Sequence, residues 1–168
     1  MKTKTCRFLQ MYLLIITAVF TLAGCNGRLF TYKGATITQA NHIIRLQAGD
    51  QRGIWKTNEL AIDYHYQMRP ESLKISGTVK LVGGFALGFS SINRLNVQLL
   101  FLDNQGTVTD NVVIYSAEGH RPVDLTPMNF DETIPIPPDS KAISFTYDGE
   151  LMDGGNDATF IDIWSFPS

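Results

Sequence analysis

Cysteine is almost absent from this chain of 168 residues. Both cysteines, Cys6 and Cys25, lie among the first 25 residues, so residues 26–168 contain no thiol. That segment can form no internal disulfide, and it offers neither a thiolate metal ligand nor a cysteine nucleophile. Its stability must come from a packed hydrophobic core, which a segment of this length is large enough to build.

Basic residues are also scarce, and they are unevenly distributed. The segment after residue 24 has 11 basic and 16 acidic residues, a net charge of −5. Residues 109–168 hold two of these basic residues and eleven of the acidic ones. A nucleic-acid partner requires a concentrated basic surface, so the composition predicts no such partner. The acidic second half is compatible with a solvated negative surface or with contact to a basic or metal-bearing partner.

The sequence has no apolar run of the length typical of a membrane-spanning helix. Residues 8–23 form a run of 16 residues that three polar residues interrupt, whereas a span needs about 20. Basic residues precede the run and small residues end it, which is typical of a secretory signal peptide with a helical apolar region. An uncleaved membrane anchor and a secreted protein without lipid are the alternatives.

The end of this run carries the most specific motif of the chain, Leu22-Ala23-Gly24-Cys25. The motif resembles the lipobox of bacterial lipoproteins. The resemblance implies cleavage between Gly24 and Cys25, and it implies diacylglycerol and an N-acyl chain such as palmitate on Cys25. Stable anchoring needs more than one acyl chain, which this modification supplies. In that family an aspartate directly after the cysteine is typical of retention in the inner membrane. This chain has Asn26 there, so the resemblance favours the outer membrane, on either its periplasmic or its surface face.

The motif divides the chain into three parts. Residues 1–24 are the predicted signal peptide, residues 25–33 the lipidated N-terminus and tether, and residues 34–168 one folded domain. The eight residues 26–33 span about 28 Å at most when extended, so the domain is predicted to lie close to the membrane. No cofactor other than the covalent lipid is predicted.

Apolar and polar residues alternate along most of the domain, which predicts β-strands with one buried face. Prolines near residue 135 predict an edge position for one strand, and no helical stripe or repeat is present. The sequence therefore predicts an all-β, antiparallel β-sandwich of about seven to nine strands. The clearest predicted strands are residues 60–68, 73–81, 95–102, 108–115, 143–147 and 159–164, and the weaker ones are 35–38, 43–46 and 130–136.

Three local features then point to a family. Gly77-Thr78-Val79 ends one predicted strand, Phe-Leu-Asp-Asn-Gln-Gly follows another at residues 101–106, and a proline-bearing turn at 137–140 leads into the strand after Lys141. Together, residues 73–148 resemble bacterial immunoglobulin-like lipoprotein domains of the FxLYD type. The resemblance implies an immunoglobulin-like sandwich, and it supplies no catalytic residues.

Two segments are candidates for contacts with other molecules. Residues 83–89 are apolar and rich in glycine. Phe85, Leu87 and Phe89 could contact a protein partner in the envelope or the membrane, or they could close the end of the sandwich. Residues 148–157 gather carboxylates in a predicted loop. A calcium site is one interpretation of the loop and a metal-free hairpin tip is the other. The calcium candidates are Asp148, Glu150, Asp153 and Asp157.

Aromatic and histidine residues give weaker signals. The four aromatic residues Trp55, Tyr64, Tyr66 and Trp164 could form a platform for sugar or peptide, although the tyrosines share a face with core residues. The histidines are scattered, and no known catalytic motif is present. We therefore expect a membrane-anchored, non-enzymatic interaction or assembly module of the cell envelope. The alternative is a ligand-binding module for carbohydrate, peptide or calcium.

Overall fold

Nine β-strands and two short helices make up the regular structure of residues 31–123, 127–154 and 159–167, the parts of the chain that the computed structural model describes. The strands are β1 (Ile44–Arg45), β2 (Gly49–Lys56), β3 (Leu60–Met68), β4 (Ser72–Leu81), β5 (Ser91–Leu102), β6 (Val108–Pro122), β7 (Met128–Pro135), β8 (Ala142–Met152) and β9 (Phe160–Ser165). A 3₁₀ helix (Ala40–His42) precedes β1, and α1 (Gly84–Gly88) precedes β5. None of the helices in these ranges is long and apolar enough to span a membrane. The predicted signal peptide and Cys25 lie outside the described residues.

The strands form two antiparallel sheets, which confirms the predicted all-β sandwich. The first sheet has the order β2-β3-β4-β7. In the second sheet β5 lies between β6 and β8, and both β1 and β9 pair with the remaining edge of β8. The sheets bury one apolar core between them, with Trp55 and Ile62 from the first sheet and Leu99 and Tyr147 from the second among its members.

Strand β5 is buried on both faces. Its inward residues, such as Leu95 and Leu99, belong to the core between the sheets. On the outer face, Leu100 and Leu102 form a second cluster with Ile37 from the segment before β1. This segment covers part of the outer face of the second sheet, which explains why the sequence of β5 is apolar at consecutive positions. Strand β5 is accordingly central in its sheet, between β6 and β8.

The segment before β1 differs from the prediction. Residues 35–38 were expected to form a strand, but they make one isolated bridge, Thr36 to Thr107. Backbone hydrogen bonds from Gly34 to Val108 (2.9 Å) and from Ile37 to Gly106 (2.9 Å) hold the segment in place. Of residues 43–46, only Ile44–Arg45 pair as β1.

Several strand boundaries also differ from those predicted. Strand β2 was not predicted, because its inward positions include Gln51 and Gly53 while Ile54 is exposed, so apolar and polar residues do not alternate. Strand β6 continues to Pro122, well beyond the predicted end. Strand β8 continues to Met152, so the acidic segment 148–157 was wrongly predicted to be wholly a loop. Register with β5 keeps this part of β8 extended, since Asp148 pairs with Asn96 and Glu150 with Arg94.

Gly77 in β4 lies where the chain has no room for a side chain. A Cβ atom there would lie 2.6 Å from Cζ of Phe130 and against the carbonyl oxygen of Asp63. Replacing Gly77 with alanine is therefore expected to lower the free energy of unfolding by about 1–3 kcal/mol, as overpacking of a core does. Urea denaturation monitored by circular dichroism measures this loss.

Gly88 in α1 provides the matched control, because a Cβ atom there would have no heavy atom within 4 Å. The Gly88→Ala variant should unfold at the same urea concentration as the unmodified protein or at a slightly higher one. Equal stability of the Gly77→Ala and Gly88→Ala variants would contradict the close approach at Gly77.

Candidate functional site

A groove with a volume of about 480 Å³ opens on one side of the sandwich. It lies where β8 and β9 of the second sheet approach the turn between β2 and β3 of the first sheet. We call it the edge groove. Its lining residues are Gln39, Asn41, His42, Lys56, Thr57, Asn58, Glu59, Tyr147, Trp164 and Ser165.

The wall of the edge groove is fixed by a hydrogen-bond network that joins the two sheets. The hydroxyl of Tyr147 donates to Oε2 of Glu59 at 2.7 Å, and it lies 2.7 Å from Oγ1 of Thr57. Because the phenol has one proton, the Thr57 hydroxyl is the donor in the second contact. Thr57 also accepts the backbone N–H groups of Glu59 (3.2 Å) and Leu60 (3.1 Å), which holds the β2–β3 turn in shape.

The environment of Tyr147 keeps its hydroxyl protonated. Burial raises the pKa of Tyr147 well above its ordinary value, and the neighbouring carboxylate of Glu59 raises this pKa further. A protonated hydroxyl remains a hydrogen-bond donor across the physiological pH range. The Glu59 carboxylate is thereby held in a fixed position at the wall of the groove.

The 3₁₀ helix forms another wall, and an aromatic contact holds it in place. The His42 ring lies 4.9 Å from the Trp55 ring, centroid to centroid. Trp55 is buried in the core, where its ring meets Phe145 and Tyr147 edge-on. The helix therefore rests on the core at the point where it borders the groove.

Four side chains around the edge groove have unused hydrogen-bonding capacity. The amides of Gln39, Asn41 and Asn58 and the ammonium group of Lys56 lie at exposed positions and make no hydrogen bond to another residue within the described ranges. Each amide can donate and accept, so together they can match several hydroxyl groups. Lys56 and Glu59 carry opposite charges, which keeps the groove close to neutral.

A second, smaller cavity of about 30 Å³ shares Gln39, His42 and Ser165 with the edge groove. Ser144 of β8 lines it, and the buried Oγ of Ser144 has no hydrogen-bond partner among the described residues. This cavity lies between the pairing of β1 with β8 and the pairing of β9 with β8. The Ser144 hydroxyl therefore adds one polar group to the lining of this small cavity.

The apolar segment 83–89 is divided between the core and the surface. The rings of Phe85 and Phe89 stack on each other at 5.9 Å and pack against the core. Leu87 is 92% exposed. Of the three candidate partner contacts, only Leu87 thus projects fully into solvent, and a protein partner at this segment stays a prediction.

The acidic candidates for calcium are engaged in other interactions. Asp148 accepts a hydrogen bond from Asn96 (3.2 Å) and pairs with Arg94 (3.4 Å). Glu150 accepts a hydrogen bond from Asn93, and Asp153 accepts the backbone N–H of Thr159. Among the described residues, no group of three or more histidine, cysteine or acidic side chains could hold a metal ion. Asp157 lies outside the described residues.

The four aromatic candidates differ in their exposure to solvent. Trp55 and Tyr66 are buried in the core, and Tyr64 packs against it, whereas Trp164 is 56% exposed. Only Trp164 of these four both lines the edge groove and is largely exposed. The structure therefore does not bring the four together as one exposed platform.

The three histidines lie on different elements. His42 is in the 3₁₀ helix, His65 lies in β3 with Nε2 3.7 Å from Oδ1 of Asp50, and His120 lies in β6. His120 Nδ1 is 3.5 Å from Oγ of Ser91, the outer limit of a hydrogen bond. Within the described ranges no carboxylate hydrogen-bonds to His120, so the third group of a catalytic triad is missing there.

Sequence reasoning missed most residues of the edge groove. Gln39, Thr57, Asn58 and Glu59 lie outside the regular elements and Asn41 lies in the three-residue 3₁₀ helix, so no periodic pattern marks them. No protein-family model matches this chain, and neither a curated protein nor a solved structure matches it.

Replacing Tyr147 with phenylalanine tests the network at the groove wall. The change leaves Glu59 and Thr57 without their shared partner, so we expect a loss of about 1–2 kcal/mol in the free energy of unfolding at pH 7. Urea denaturation measures it. Tyr115→Phe is the matched control, since the buried Tyr115 hydroxyl has no hydrogen-bond partner among the described residues. A control variant as destabilised as Tyr147→Phe would contradict this role of the network.

The Tyr147→Phe substitution should also change how the free energy of unfolding depends on pH. The unfolded chain ionises Tyr147 near its ordinary pKa of 10.0, whereas the folded protein keeps it protonated at higher pH. Stability should therefore fall as the pH rises above 10. Removing Tyr147 should make this fall shallower by up to about 1.4 kcal/mol per pH unit. Tyr32 and Tyr64, whose pKa values burial also raises, maintain the remaining slope. Equal slopes in the two proteins would contradict the prediction.

Proposed function

We propose that this protein is a lipid-anchored, non-enzymatic binding module of the bacterial cell envelope, and that it binds a carbohydrate in the edge groove. The observation that carries the proposal is the unused hydrogen-bonding capacity of Gln39, Asn41 and Asn58 around a cavity of about 480 Å³. Ligand sites in proteins are concave and have volumes of roughly 300–1,000 Å³. A few converging polar groups give such sites their specificity.

The lining of the edge groove favours a carbohydrate over a peptide or calcium. None of its ten lining residues is aliphatic, so it offers no pocket for the apolar side chain of a peptide. Among the described residues that line it, the only carboxylate is that of Glu59, which accepts a hydrogen bond from Tyr147, whereas calcium needs six to eight oxygen ligands. The amide groups of Gln39, Asn41 and Asn58 can each donate and accept, which suits them to the hydroxyl groups of a sugar.

The proposed anchor is the lipid on Cys25. Its support is the motif Leu22-Ala23-Gly24-Cys25 at the end of a short apolar run that basic residues precede. Under this proposal the sandwich is held at the outer membrane, and the ligand is a component of the envelope or of its surroundings. An envelope protein that contacts Leu87 remains compatible with this arrangement, because α1 and the edge groove involve different residues.

We also propose that the sandwich is immunoglobulin-like. Immunoglobulin sandwiches pair strands B and E in one sheet and place strand C beside F, which pairs with G, in the other. Strands β4 and β7 pair in the same way in the first sheet, and β5, β8 and β9 are neighbours in the second. Strand β2 is an addition at the edge of the first sheet. This order supports the resemblance to FxLYD-type domains.

Replacing Cys25 with serine tests the anchor, because serine cannot form the thioether through which lipid is attached. The variant is expected to lose the acyl chains and to leave the membrane fraction for the soluble fraction, as measured by fractionation and by mass spectrometry of the purified protein. Cys6→Ser is the matched control and should remain in the membrane fraction. A membrane-bound Cys25→Ser protein of unchanged mass would contradict the anchor.

Carbohydrate binding is tested with two uncharged probes, cellotetraose and tetra-N-acetylchitotetraose. A ligand that binds only the folded protein raises the melting temperature, and at 100 times its Kd it stabilises by about 2.7 kcal/mol. We expect a rise with at least one probe at millimolar concentration. The rise should disappear in the double variant Gln39→Ala, Asn41→Ala.

Gln67→Ala is the control for this experiment, because Gln67 lies exposed in β3, away from the edge groove. The control should respond to the probe as the unmodified protein does. A melting temperature that neither probe changes would contradict carbohydrate binding, and an equal response in all variants would place the binding site elsewhere.

A further inference from the structure

Strand β9 and the residue after it present three large aromatic side chains to solvent. Phe160 is 53% exposed, Trp164 is 56% exposed and Phe166 is 52% exposed. Their positions differ by four and by two, and alternate residues of an extended chain point to the same side, so all three side chains lie on one side. We call Phe160, Trp164 and Phe166 the aromatic strip.

The pairing of β9 with β8 shows which face the aromatic strip occupies. Ile163 pairs with Gly149 and is buried in the core between the sheets. Trp164 pairs with Asp148, whose carboxylate interacts with Arg94 and Asn96 on the outer face of the second sheet. The strip therefore belongs to the outer face, on the side of the second sheet remote from the core.

The described chain begins on this same face. The ring of Tyr32 lies 5.9 Å from the ring of Phe166, centroid to centroid. The backbone N–H of Tyr32 donates to Oδ1 of Asn111 in β6 at 3.2 Å. Burial raises the pKa of Tyr32, and the nearby carboxylate of Asp148 adds to this to a smaller extent. Tyr32, close to the start of the described residues, therefore lies beside the aromatic strip.

The distance to the proposed lipid is limited by the length of chain. Six residues lie between Cys25 and Tyr32, and the seven Cα–Cα steps from one to the other span about 25 Å at most when fully extended. A lipid on Cys25 therefore enters the bilayer within that distance of Tyr32. Since Tyr32 contacts Phe166, the aromatic strip is held at the membrane at a high effective concentration, and weak contacts are then sufficient to orient the domain.

We propose that the outer face of the second sheet lies on the bilayer, with the aromatic strip in the interfacial layer of the lipids. Aromatic side chains are favoured at this depth, where one part of the ring is apolar and the surroundings are partly hydrated. The carboxylates of Asp162 in β9 and Glu150 in β8 lie on the same face, so the matching surface has uncharged headgroups. The inference rests on the proposed lipid at Cys25.

Trp164 is itself the probe for the test. The chain has two tryptophans, and the other, Trp55, is only 2% exposed within the core. The full lipidated protein is reconstituted in phosphatidylcholine vesicles with or without bromine atoms on the acyl chains, which quench tryptophan on contact. We expect the brominated vesicles to remove the share of the emission that Trp164 contributes. The Trp164→Phe variant should lose no emission.

A second variant supplies a matched exposed tryptophan on the other sheet. Ile54 of β2 is 69% exposed and pairs with Asp63 in the first sheet. In the double variant Trp164→Phe, Ile54→Trp, the new tryptophan should be quenched by acrylamide in the water and not by the brominated lipid. Equal quenching of positions 54 and 164 by the brominated lipid would overturn the proposed orientation.

The remaining outcomes separate this inference from the anchor. If the protein floats with the vesicles but Trp164 keeps its full emission, the anchor stands and the membrane-facing strip is wrong. If Trp164 is shielded from acrylamide and yet not quenched by brominated lipid, a second copy or another protein covers the strip, which also overturns the inference. A protein that does not float with the vesicles overturns both proposals.

Discussion

The shared edge of β8 is the constraint on which the rest of the structure depends. One edge of β8 pairs with β5 along its whole length, while the other edge pairs with β1 at residues 142–143 and with β9 from Tyr147 onward. Between these two pairings, β8 presents Ser144 to the small cavity. Tyr147 then reaches the β2–β3 turn of the first sheet. One strand thus joins the sheets and shapes the groove beside them.

The acidic residues of the second half of the chain contribute to structure as well as to charge. Asp148 and Glu150 hydrogen-bond to Asn96 and Asn93 of β5, so these two carboxylates hold neighbouring strands together at the outer face. Such ties matter in a domain whose residues 26–168 contain no cysteine. The net charge of this region therefore overstates the negative surface that is free to meet a partner.

Sequence patterns predicted those strands whose alternation is set by burial. In β3 and β4 nearly every second side chain enters the core, so the pattern and the structure agree. The pattern failed at β2, where Gly53 occupies an inward position beneath the ring of Tyr64, and at the end of β8, where Gly149 meets Leu95. The edge groove was not predictable, because its walls come from the β2–β3 turn and from the short segment around the 3₁₀ helix, neither of which has a periodic pattern. The proposed anchor, in contrast, depends on four consecutive residues and needs no fold to be detected.

The attachment of the N-terminal segment also determines how the domain responds to mechanical force. If the domain is anchored through Cys25 as we propose, a pull from the membrane would reach the sandwich at Tyr32 and pass to the Thr36–Thr107 bridge and to the two-residue strand β1. These contacts are few and peripheral, whereas β3, β4, β5 and β8 are held by long ladders around the core. Contacts at the periphery open at lower free energy than those of the core. The segment from Tyr32 to Arg45, which includes β1, would then detach first and lengthen the linker to the membrane. The other eight strands would remain folded.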